Sequence, residues 1–336
     1  MIARARAPLR VDLAGGWTDV APYAGPRGGA VVNVAVSLHA HVLVRRGGTG
    51  VRLRALDLDA VVTAKRLEDL RADGELALIK AAARRYAPDG PLEVVTHSDA
   101  PPGSGLGGSG AMGVALIAAF GHMSGSRRLP AEIAGAAFET EVHEAGIVGG
   151  KQDQYAAALG GLNFFTFGDP AVSATRIDAP APALRELEQS LVLCYTGASR
   201  LSGDTHRRVW ERFGRGEAAT VRALDGLRAC AHAMRDALAS GALGDVARCM
   251  TENWTHQRAL ADGMETDTMR ALQRVASEAG ADGVKAAGAG AGGCLIFLAR
   301  PGCEVDVAEA LRRAGSTVLR ASFAPAGVQA WEAAER

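Results

Sequence analysis

The chain has 336 residues, 48% of them hydrophobic and 22% charged, which is typical of a globular protein large enough for two domains. Its 37 basic residues balance 37 acidic ones, so nothing in the bulk charge favours nucleic acid or an anionic membrane as partner. The five cysteines show no C-x-x-C spacing, and we find neither a leader peptide nor an apolar stretch of membrane-spanning length, so we expect a cytoplasmic protein with reduced thiols.

Strand-like runs dominate the first hundred residues, separated by clusters of glycine, proline and aspartate. These runs are 5–15, 30–46, 51–58 and 92–98. Alanine-rich helices are predicted at about 109–122 and 130–145, the second beginning at Pro130 and ending at Gly146. A short helix at 153–159 and a strand at 162–167 follow.

A dense run of proline and alanine at 169–185 precedes the apolar strand 190–197. We therefore place a domain boundary near 185, which gives domains 1–185 and 186–336. The predicted elements of the second domain are helices at about 205–240, 243–263 and 265–279, a strand at 294–299, a helix at 304–314 and a final strand. Two α+β domains are the simplest account of this order.

The segment PPGSGLGGSGAMGVAL, residues 101–116, contains the G-x-G-x-x-G spacing of a dinucleotide-binding loop, and GAGAGG at 288–293 repeats it. Neither match has the required context, because the first lacks an acidic residue about 20 positions on and a strand follows the second. A Walker A loop is excluded because no lysine follows the first glycine cluster. Glycines that expose backbone N–H groups ahead of a helix N-terminus still suit a phosphate, with a plain tight turn as the alternative.

Three motifs resemble those of the GHMP kinases. PPGSGLGGSGA resembles their second motif, P-x-x-x-G-L-x-S-S-A, while APLRVDLAGGWTDV (7–20) and VKAAGAGAGGCLIF (284–297) resemble the first and third. GGKQDQYAAALGGLNFF (149–165), YTGASRLS (195–202) and ENW (252–254) are most similar to the D-glycero-D-manno-heptose 7-phosphate kinases of that superfamily. The first motif, with its WTD, also resembles that of the L-fucose kinases.

This resemblance implies an N-terminal domain like the second domain of ribosomal protein S5, a ferredoxin-like C-terminal domain and an active site between them. It implies transfer of the γ-phosphate of ATP, with Mg²⁺, to the anomeric hydroxyl of a sugar. D-glycero-D-manno-heptose 7-phosphate, giving the 1,7-bisphosphate, is the expected acceptor. The alternatives are L-fucose, another hexose, a cyclitol, or a non-catalytic sensor of sugar and nucleotide. The sequence does not indicate an oligomeric state.

By the same resemblance, Asp153 is the catalytic carboxylate and Arg10 the neighbouring cation. A fixed carboxylate can orient the acceptor hydroxyl and accept its proton, and a preplaced arginine can balance charge on the transferring phosphoryl group. From the residues alone, Asp153 could equally be a helix N-cap and Arg10 a solvated strand arginine.

Glu141 matches the family's acidic magnesium ligand, and Ser109 the serine that joins the metal shell. Helical spacing independently puts Glu141 on the apolar stripe with Ala134, Ala137 and Phe138. Glu132 and Glu139 share a different face of the same helix. A carboxylate on such a face needs a partner, either Mg²⁺ or a buried salt bridge.

The remaining expected contacts divide between nucleotide and sugar. The residues expected to hold the phosphates of ATP are Pro102, Gly103, Ser104, Gly105, Leu106, Gly107, Gly108, Ser109 and Gly110. Those expected at the sugar are Trp17, Thr18, Asp19, Gly149, Gly150, Gly288 and Gly290. An Asx-type turn is the alternative for the WTD segment.

Several positions depart from the family pattern or suggest no site. Gly108 and Gly110 replace a serine and an alanine of the second motif, and Ala291 interrupts the glycine run of the third, where a positive φ would cost about 1 kcal/mol. Cys294 stands where an aromatic residue is common. His39 and His41 share one strand face, but no third ligand lies near them in sequence, so we expect no metal site among the histidines.

Overall fold

Two sheets organise the chain in the computed structural model, which describes residues 1–168, 171–197 and 202–333. The first sheet contains β1 (Ile2–Ala14), β2 (Gly29–Arg46), β3 (Val51–Ala55), β4 (Ala60–Ala64), β5 (Leu92–Ser98), β6 (Leu162–Phe167), β7 (Val172–Arg176) and β12 (Gln329–Ala333). Its order is β12-β1-β2-β5-β3-β4, with β6 pairing β2 and β7 pairing β6. The second sheet contains β8 (Leu191–Tyr195), β9 (Ala281–Ala286), β10 (Cys294–Ala299) and β11 (Thr317–Leu319).

The second sheet is antiparallel in the order β11-β8-β10-β9, which is the strand order of the expected ferredoxin-like domain. The helices are α1 (Ala21–Arg27), α2 (Ala77–Tyr86), α3 (Gly108–Met123), α4 (Pro130–Glu139), α5 (Gln152–Leu159), α6 (Ala181–Ser190), α7 (Ser202–Gly214), α8 (Ala218–Ser240), α9 (Leu243–Arg258), α10 (Asp267–Glu278) and α11 (Glu304–Arg313). The α+β class predicted from the sequence is confirmed.

Strand β1 changes character along its length. Its first residues alternate between buried and exposed, whereas every residue from Ala7 to Ala14 is buried. Helices α3 and α5 from the first half, and α8 and α9 from the second half, all pack against this strand. A strand covered on both faces brings Arg10 and Asp12 into the interior, where the two halves of the chain meet.

Helix α3 is apolar on nearly all sides, and most of its length is buried. Gly107 precedes it in the left-handed conformation (φ 78°), which lets the loop turn directly into the helix axis. The N-terminus of a 16-residue helix, with its free N–H groups and partial positive charge, thus lies at the end of the glycine-rich loop.

Sequence reasoning missed several short elements. Helix α2 and strand β4 lie in the region interpreted as strands and turns. Strand β7 lies within the proline- and alanine-rich run 169–185, and α6 begins in it. The single helix predicted at 205–240 is two helices, α7 and α8, because Gly216 takes a positive φ of 69° between them. No described helix is long and apolar enough to cross a membrane.

The predicted boundary near 185 falls between the last consecutive strand of the first sheet, β7, and the first strand of the second, β8. Strand β12 nevertheless returns to the first sheet, pairing Ile2 with Ala333 and Arg6 with Gln329. The division into 1–185 and 186–336 therefore remains a prediction for most of the chain, whereas residues 329–333 belong to the first sheet.

Candidate active site

A cavity of about 700 Å³ opens where the glycine-rich loop, the N-terminus of α3 and the third motif meet. Its lining includes most of the residues predicted for the site. These are Arg10, Trp17, Asp19, Pro102, Gly103, Ser104, Gly105, Gly107, Gly108, Ser109, Glu141, Gly149, Gly150, Asp153, Gly288 and Gly290. Three distant sequence motifs thus converge on one space.

Arg10 and Asp153 form the central pair of the cavity. Nε and a terminal nitrogen of Arg10 lie 2.8 Å and 2.7 Å from the same carboxylate oxygen, Oδ1 of Asp153. Arg10 also donates to the carbonyl oxygen of Gly105, and its backbone N–H donates to that of Leu106 at 3.0 Å. The arginine therefore holds the carboxylate and the phosphate-loop backbone in one arrangement, which is not the solvated strand arginine of the alternative interpretation.

The two glycine clusters pack directly on each other. A Cβ at Gly288 would lie 2.9 Å from the Cα of Gly105, so only glycine lets the backbones approach this closely. The backbone N–H of Cys294 donates to the carbonyl oxygen of Ser104 at 2.8 Å, and Gln257 Nε2 donates to the carbonyl oxygen of Gly288 at 2.9 Å. The third motif thus buttresses the glycine-rich loop from the second domain.

Glu141 is buried at the edge of the cavity, in a π-helical turn (Thr140–Glu144) that ends α4. Gln154 Nε2 donates to its Oε2 at 2.6 Å, and the Ser109 hydroxyl is its second hydrogen-bond partner. Burial raises the pKa of Glu141 to about 7, with the Asp153 carboxylate adding to the rise. Glu141 and Ser109 lie together as predicted, and within the described part of the chain Glu141 has the Gln154 amide as partner and no salt bridge.

Asp19 is a second buried carboxylate in the lining. Its Oδ2 accepts the backbone N–H of Gln152 at 3.0 Å, at the start of α5. A Cβ at Gly150 would lie within 2 Å of that oxygen, so Gly150 makes room for the carboxylate. Burial raises the pKa of Asp19 to about 6, opposed by the Gln152 hydrogen bond and reinforced by Asp153.

Trp17 forms an aromatic wall with two residues of α7. Its ring stacks on His206 with centroids 4.4 Å apart, and Trp210 lies 5.8 Å away. Trp210 Nε1 donates to His206 Nδ1 at 3.3 Å, and burial lowers the pKa of His206 to about 4, so the ring is neutral with its proton on Nε2. Among the described residues, the buried Trp17 Nε1 has no hydrogen-bond partner.

Three predicted contact residues lie behind the lining. Thr18 is fully buried, and its hydroxyl oxygen lies 2.7 Å from the carbonyl oxygen of Gly15 and 2.9 Å from that of Ala30, so it shapes the WTD loop. Leu106 is buried and positions Arg10 through its carbonyl. Gly110 faces Asp153, as a Cβ there would lie 2.6 Å from that of Asp153. These three residues support the cavity lining from behind, and their direct contact with a ligand stays a prediction.

Several residues near the cavity escaped sequence reasoning. Lys285, fully buried on β9, contacts Oδ2 of Asp12 at 3.2 Å and donates to the Asp12 carbonyl at 2.7 Å. Gln154, Gln152 and His206 were likewise not singled out. The one available signal was polar residues inside apolar runs, as with Lys285 and Asp12, but it does not say which residues meet. Part of YTGASRLS, residues 198–201, lies outside the described structure.

The charge in the cavity is unbalanced. Four acidic residues, Asp19, Asp57, Glu141 and Asp153, line it, whereas Arg10 is the one lysine or arginine among the described lining residues. A polyanionic phosphate chain would not enter such a site without further positive charge. Carboxylate and hydroxyl oxygens are the ligands that Mg²⁺ prefers, so Glu141 and Ser109 suit that ion.

The chain is similar to known proteins over its full length. Residues 76–161 match the GHMP kinases N terminal domain, and residues 234–317 match the GHMP kinases C terminal domain. D-glycero-alpha-D-manno-heptose 7-phosphate kinase from Campylobacter jejuni is 32% identical over 98% of both chains. A D-glycero-D-manno-heptose 1-phosphate kinase from Bacteroides thetaiotaomicron has a TM-score of 0.82 and 29% identity, covering 99% of this chain and 100% of that one.

L-fucokinase/L-fucose-1-P guanylyltransferase from Bacteroides fragilis is 27% identical over 88% of this chain and 34% of that larger protein.

A glycine loop at a helix N-terminus, facing a paired arginine and carboxylate, defines a phosphotransferase, because phosphoryl transfer depends on positioning and charge balance. The motifs converge from the two halves of the chain, and the sheet of the second half has the expected ferredoxin-like strand order. Together with the matches to both halves of the chain, this shows that the protein belongs to the GHMP kinases. It is an ATP-dependent kinase.

Proposed function

We propose that the protein transfers the γ-phosphate of ATP to the anomeric hydroxyl of D-glycero-D-manno-heptose 7-phosphate, giving the 1,7-bisphosphate. The observation that supports this most directly is the Arg10–Asp153 pair facing the glycine-rich loop. The acceptor follows from the 32% identity to the Campylobacter jejuni heptose 7-phosphate kinase. Both ATP and a sugar phosphate suit the cytoplasmic location expected from the sequence.

The backbone N–H groups at 103–110 and the N-terminus of α3 would hold the phosphates of ATP. Apolar side chains in the same cavity, including Leu58, Leu76 and Leu78, suit a nucleotide base. Glu141 and Ser109 would hold Mg²⁺, which supplies the positive charge that the carboxylate-rich lining lacks.

Asp153 is the group that would receive the acceptor hydroxyl. Both Arg10 contacts use Oδ1 and therefore leave Oδ2 for that hydroxyl. The anomeric oxygen attacks the γ-phosphorus as the bond to the β-phosphate oxygen breaks, its proton passes to Asp153, and ADP leaves. Arg10 lies where charge on the transferring phosphoryl group is greatest.

Asp19 and Trp17 would bind the sugar. A buried carboxylate accepts hydrogen bonds from sugar hydroxyls, and the unpartnered indole N–H of Trp17 can donate one. Gly149 and Gly150, with Gly288 and Gly290, leave backbone groups open to the ligand.

Phosphorylation of L-fucose is the second candidate. It is favoured by Trp17 and the surrounding first motif, which resemble those of L-fucose kinases, and by the match to the Bacteroides fragilis enzyme. The stacked rings of Trp17 and His206, both in the cavity lining, give apolar area that suits a methyl group on the sugar.

Release of ADP with ATP and Mg²⁺ tests the proposal, comparing heptose 7-phosphate, L-fucose, galactose and no acceptor. We expect turnover with the heptose phosphate, lost by a factor of about 10³ or more in Asp153→Asn and retained in the surface control Asp282→Asn. Turnover with L-fucose alone would replace the proposed acceptor. No turnover with any acceptor would overturn the sugar kinase assignment.

A further inference from the structure

A cluster of histidines lies on the first sheet, outside the lining of the catalytic cavity. His41 on β2 is directly opposite His97 on β5, and their rings stack with centroids 6.2 Å apart. His39, two residues before His41, shares its face and lies beside Asp99, whose backbone N–H donates to the His39 carbonyl at 3.0 Å. Antiparallel pairing thus supplies the neighbours that sequence reasoning did not find for His39 and His41.

The Asp99 carboxylate lies at the centre of this cluster. Its Oδ2 is 3.1 Å from Nε2 of His41 and 2.9 Å from the backbone nitrogen of His39, while Oδ1 is 3.7 Å from Nε2 of His97. Ligand atoms of His39, His41 and Asp99 all lie within 4.8 Å of one another. Small side-chain rotations would bring them to the 2.0–2.2 Å that zinc requires around a common centre.

His39 makes the backbone hydrogen bond that metal-ligating histidines commonly make. Its Nδ1 donates to the carbonyl oxygen of Ser37 at 2.9 Å, since that oxygen can only accept. The hydrogen bond places the proton on Nδ1 and leaves the Nε2 lone pair available, the arrangement that supports ligating histidines in proteins.

We propose that His39, His41 and Asp99 bind a divalent transition metal ion of the zinc class, with His97 as an available fourth ligand. Imidazole with a single carboxylate suits Zn²⁺ and disfavours Mg²⁺, so this site differs in chemistry from the Glu141 site. Binding through Nε2 of His41 would replace the present contact between that nitrogen and Oδ2 of Asp99. Asp99 lies two residues before Pro101, so the ion fixes the end of β5 from which the phosphate loop begins.

A second group of side chains, Cys230, Glu252 and His256, is an alternative place for a metal ion to bind. Burial raises the pKa of the Cys230 thiol to about 12, which opposes the thiolate that a metal needs. Replacing His256 therefore tests whether metal binds at this alternative group, and it leaves the proposed site unchanged.

The test uses untagged, chelator-stripped protein incubated with ZnCl₂, desalted and analysed for metal. We expect one retained equivalent of Zn²⁺, lost in His39→Ala and in His41→Ala but kept in His256→Ala and in the exposed control His143→Ala. Substituted Co²⁺ should show the visible absorption of low-coordinate cobalt in the wild type and lose it in His41→Ala. Zn²⁺ should raise the Tm of the wild type and leave that of His41→Ala unchanged.

Circular dichroism checks that each variant is folded. In a folded variant, loss of the bound Zn²⁺ shows that the replaced residue contributes to the metal site. The proposal is overturned by wild-type protein that retains no zinc, by zinc that survives both His39→Ala and His41→Ala, or by loss confined to His256→Ala.

Discussion

Gly110 packs so closely against Asp153 that there is no room for a side chain between them. A Cβ on Gly110 would lie 2.6 Å from the Cβ of Asp153 and 3.1 Å from the backbone nitrogen of Gln154. The family pattern has alanine at this position, yet in this chain alanine would displace Asp153, the proposed catalytic carboxylate. Gly110 therefore sets where α5, and with it Asp153, sits against α3.

Replacing Gly110 with alanine is expected to lower kcat by roughly 100-fold, because a shift of about 1 Å in a catalytic group costs that much. Gly135→Ala, on α4 and outside the cavity lining, is the matched control, since the nearest atom to a Cβ there is Tyr155 Oη at 4.0 Å. Steady-state kinetics with saturating ATP measure both variants. Equal kcat values for the two variants would show that Gly110 does not position Asp153.

The Asp12–Lys285 pair lies fully inside the protein, and burial lowers the pKa of the lysine. We expect Lys285→Met to reduce the free energy of unfolding by about 3 kcal/mol or more, because it leaves Asp12 buried without a partner. Lys80→Met is the control, since its neighbour Asp73 is exposed. Urea denaturation measures both, and a smaller loss for Lys285→Met than for Lys80→Met would contradict the argument.

Ala291 has the positive φ that its place in the third motif suggested, at 61°. Glycine relieves the clash between Cβ and the following carbonyl, so Ala291→Gly is expected to stabilise the protein by up to about 1 kcal/mol. Ala289→Gly, at a position without a positive φ, should instead destabilise it. Thermal unfolding distinguishes the two, and the idea fails if both shift Tm downward.

The buried carboxylates predict the pH dependence of stability in the absence of Mg²⁺. Folding raises the pKa of Glu141 from its ordinary 4.5 to about 7, and that of Asp19 from 3.8 to about 6, so the folded state binds more protons than the unfolded state. Stability should therefore be greatest below pH 4, as far as these two groups are concerned, and fall as pH rises through 4 to 7.

Glu141→Gln should flatten the upper part of this fall, between pH 5 and 7, in denaturation curves measured with a chelator present. The raised pKa of Glu141 also predicts that activity at limiting Mg²⁺ increases as the pH rises toward 7, because the Glu141 carboxylate must ionise to hold the ion. A slope unchanged by Glu141→Gln would assign the titration to other groups.

Trp17→Phe keeps most of the ring stacked on His206 but removes the unpartnered N–H. Loss of one hydrogen bond to a sugar hydroxyl should raise the KM for the sugar about tenfold and leave the KM for ATP near that of the wild type. Trp331→Phe, on β12, is the control. A KM for ATP that rises as much as that for the sugar would argue against a sugar contact.

The features of the fold and site that could be predicted from the sequence are those set by residues close together in the chain. The strands β1, β2 and β5 and the helices α3 and α4 were predictable because their patterns are local. Glu141 was expected on a buried face from spacing alone, and it is buried. Arg10 and Asp153 were recognised only through their motifs.

The rest depended on long-range pairing that periodicity does not show. Asp12 and Lys285 are 273 residues apart, and His97 joins His41 only through the register of β2 and β5. The π-helical turn that presents Glu141 and the tight fit of Gly110 depend on packing around them. Missed elements such as β4 and β7 are five-residue strands, too short for a periodic signal.

The pairing of β12 with β1 has a consequence for synthesis on the ribosome. Residues 329–333 close one edge of a sheet whose other strands are complete by residue 176. The first domain must therefore emerge with an open edge at Ile2–Arg6, where unpaired backbone groups can join another chain. Arg4 and Arg6 on this edge carry charge that discourages such pairing until the last strand arrives.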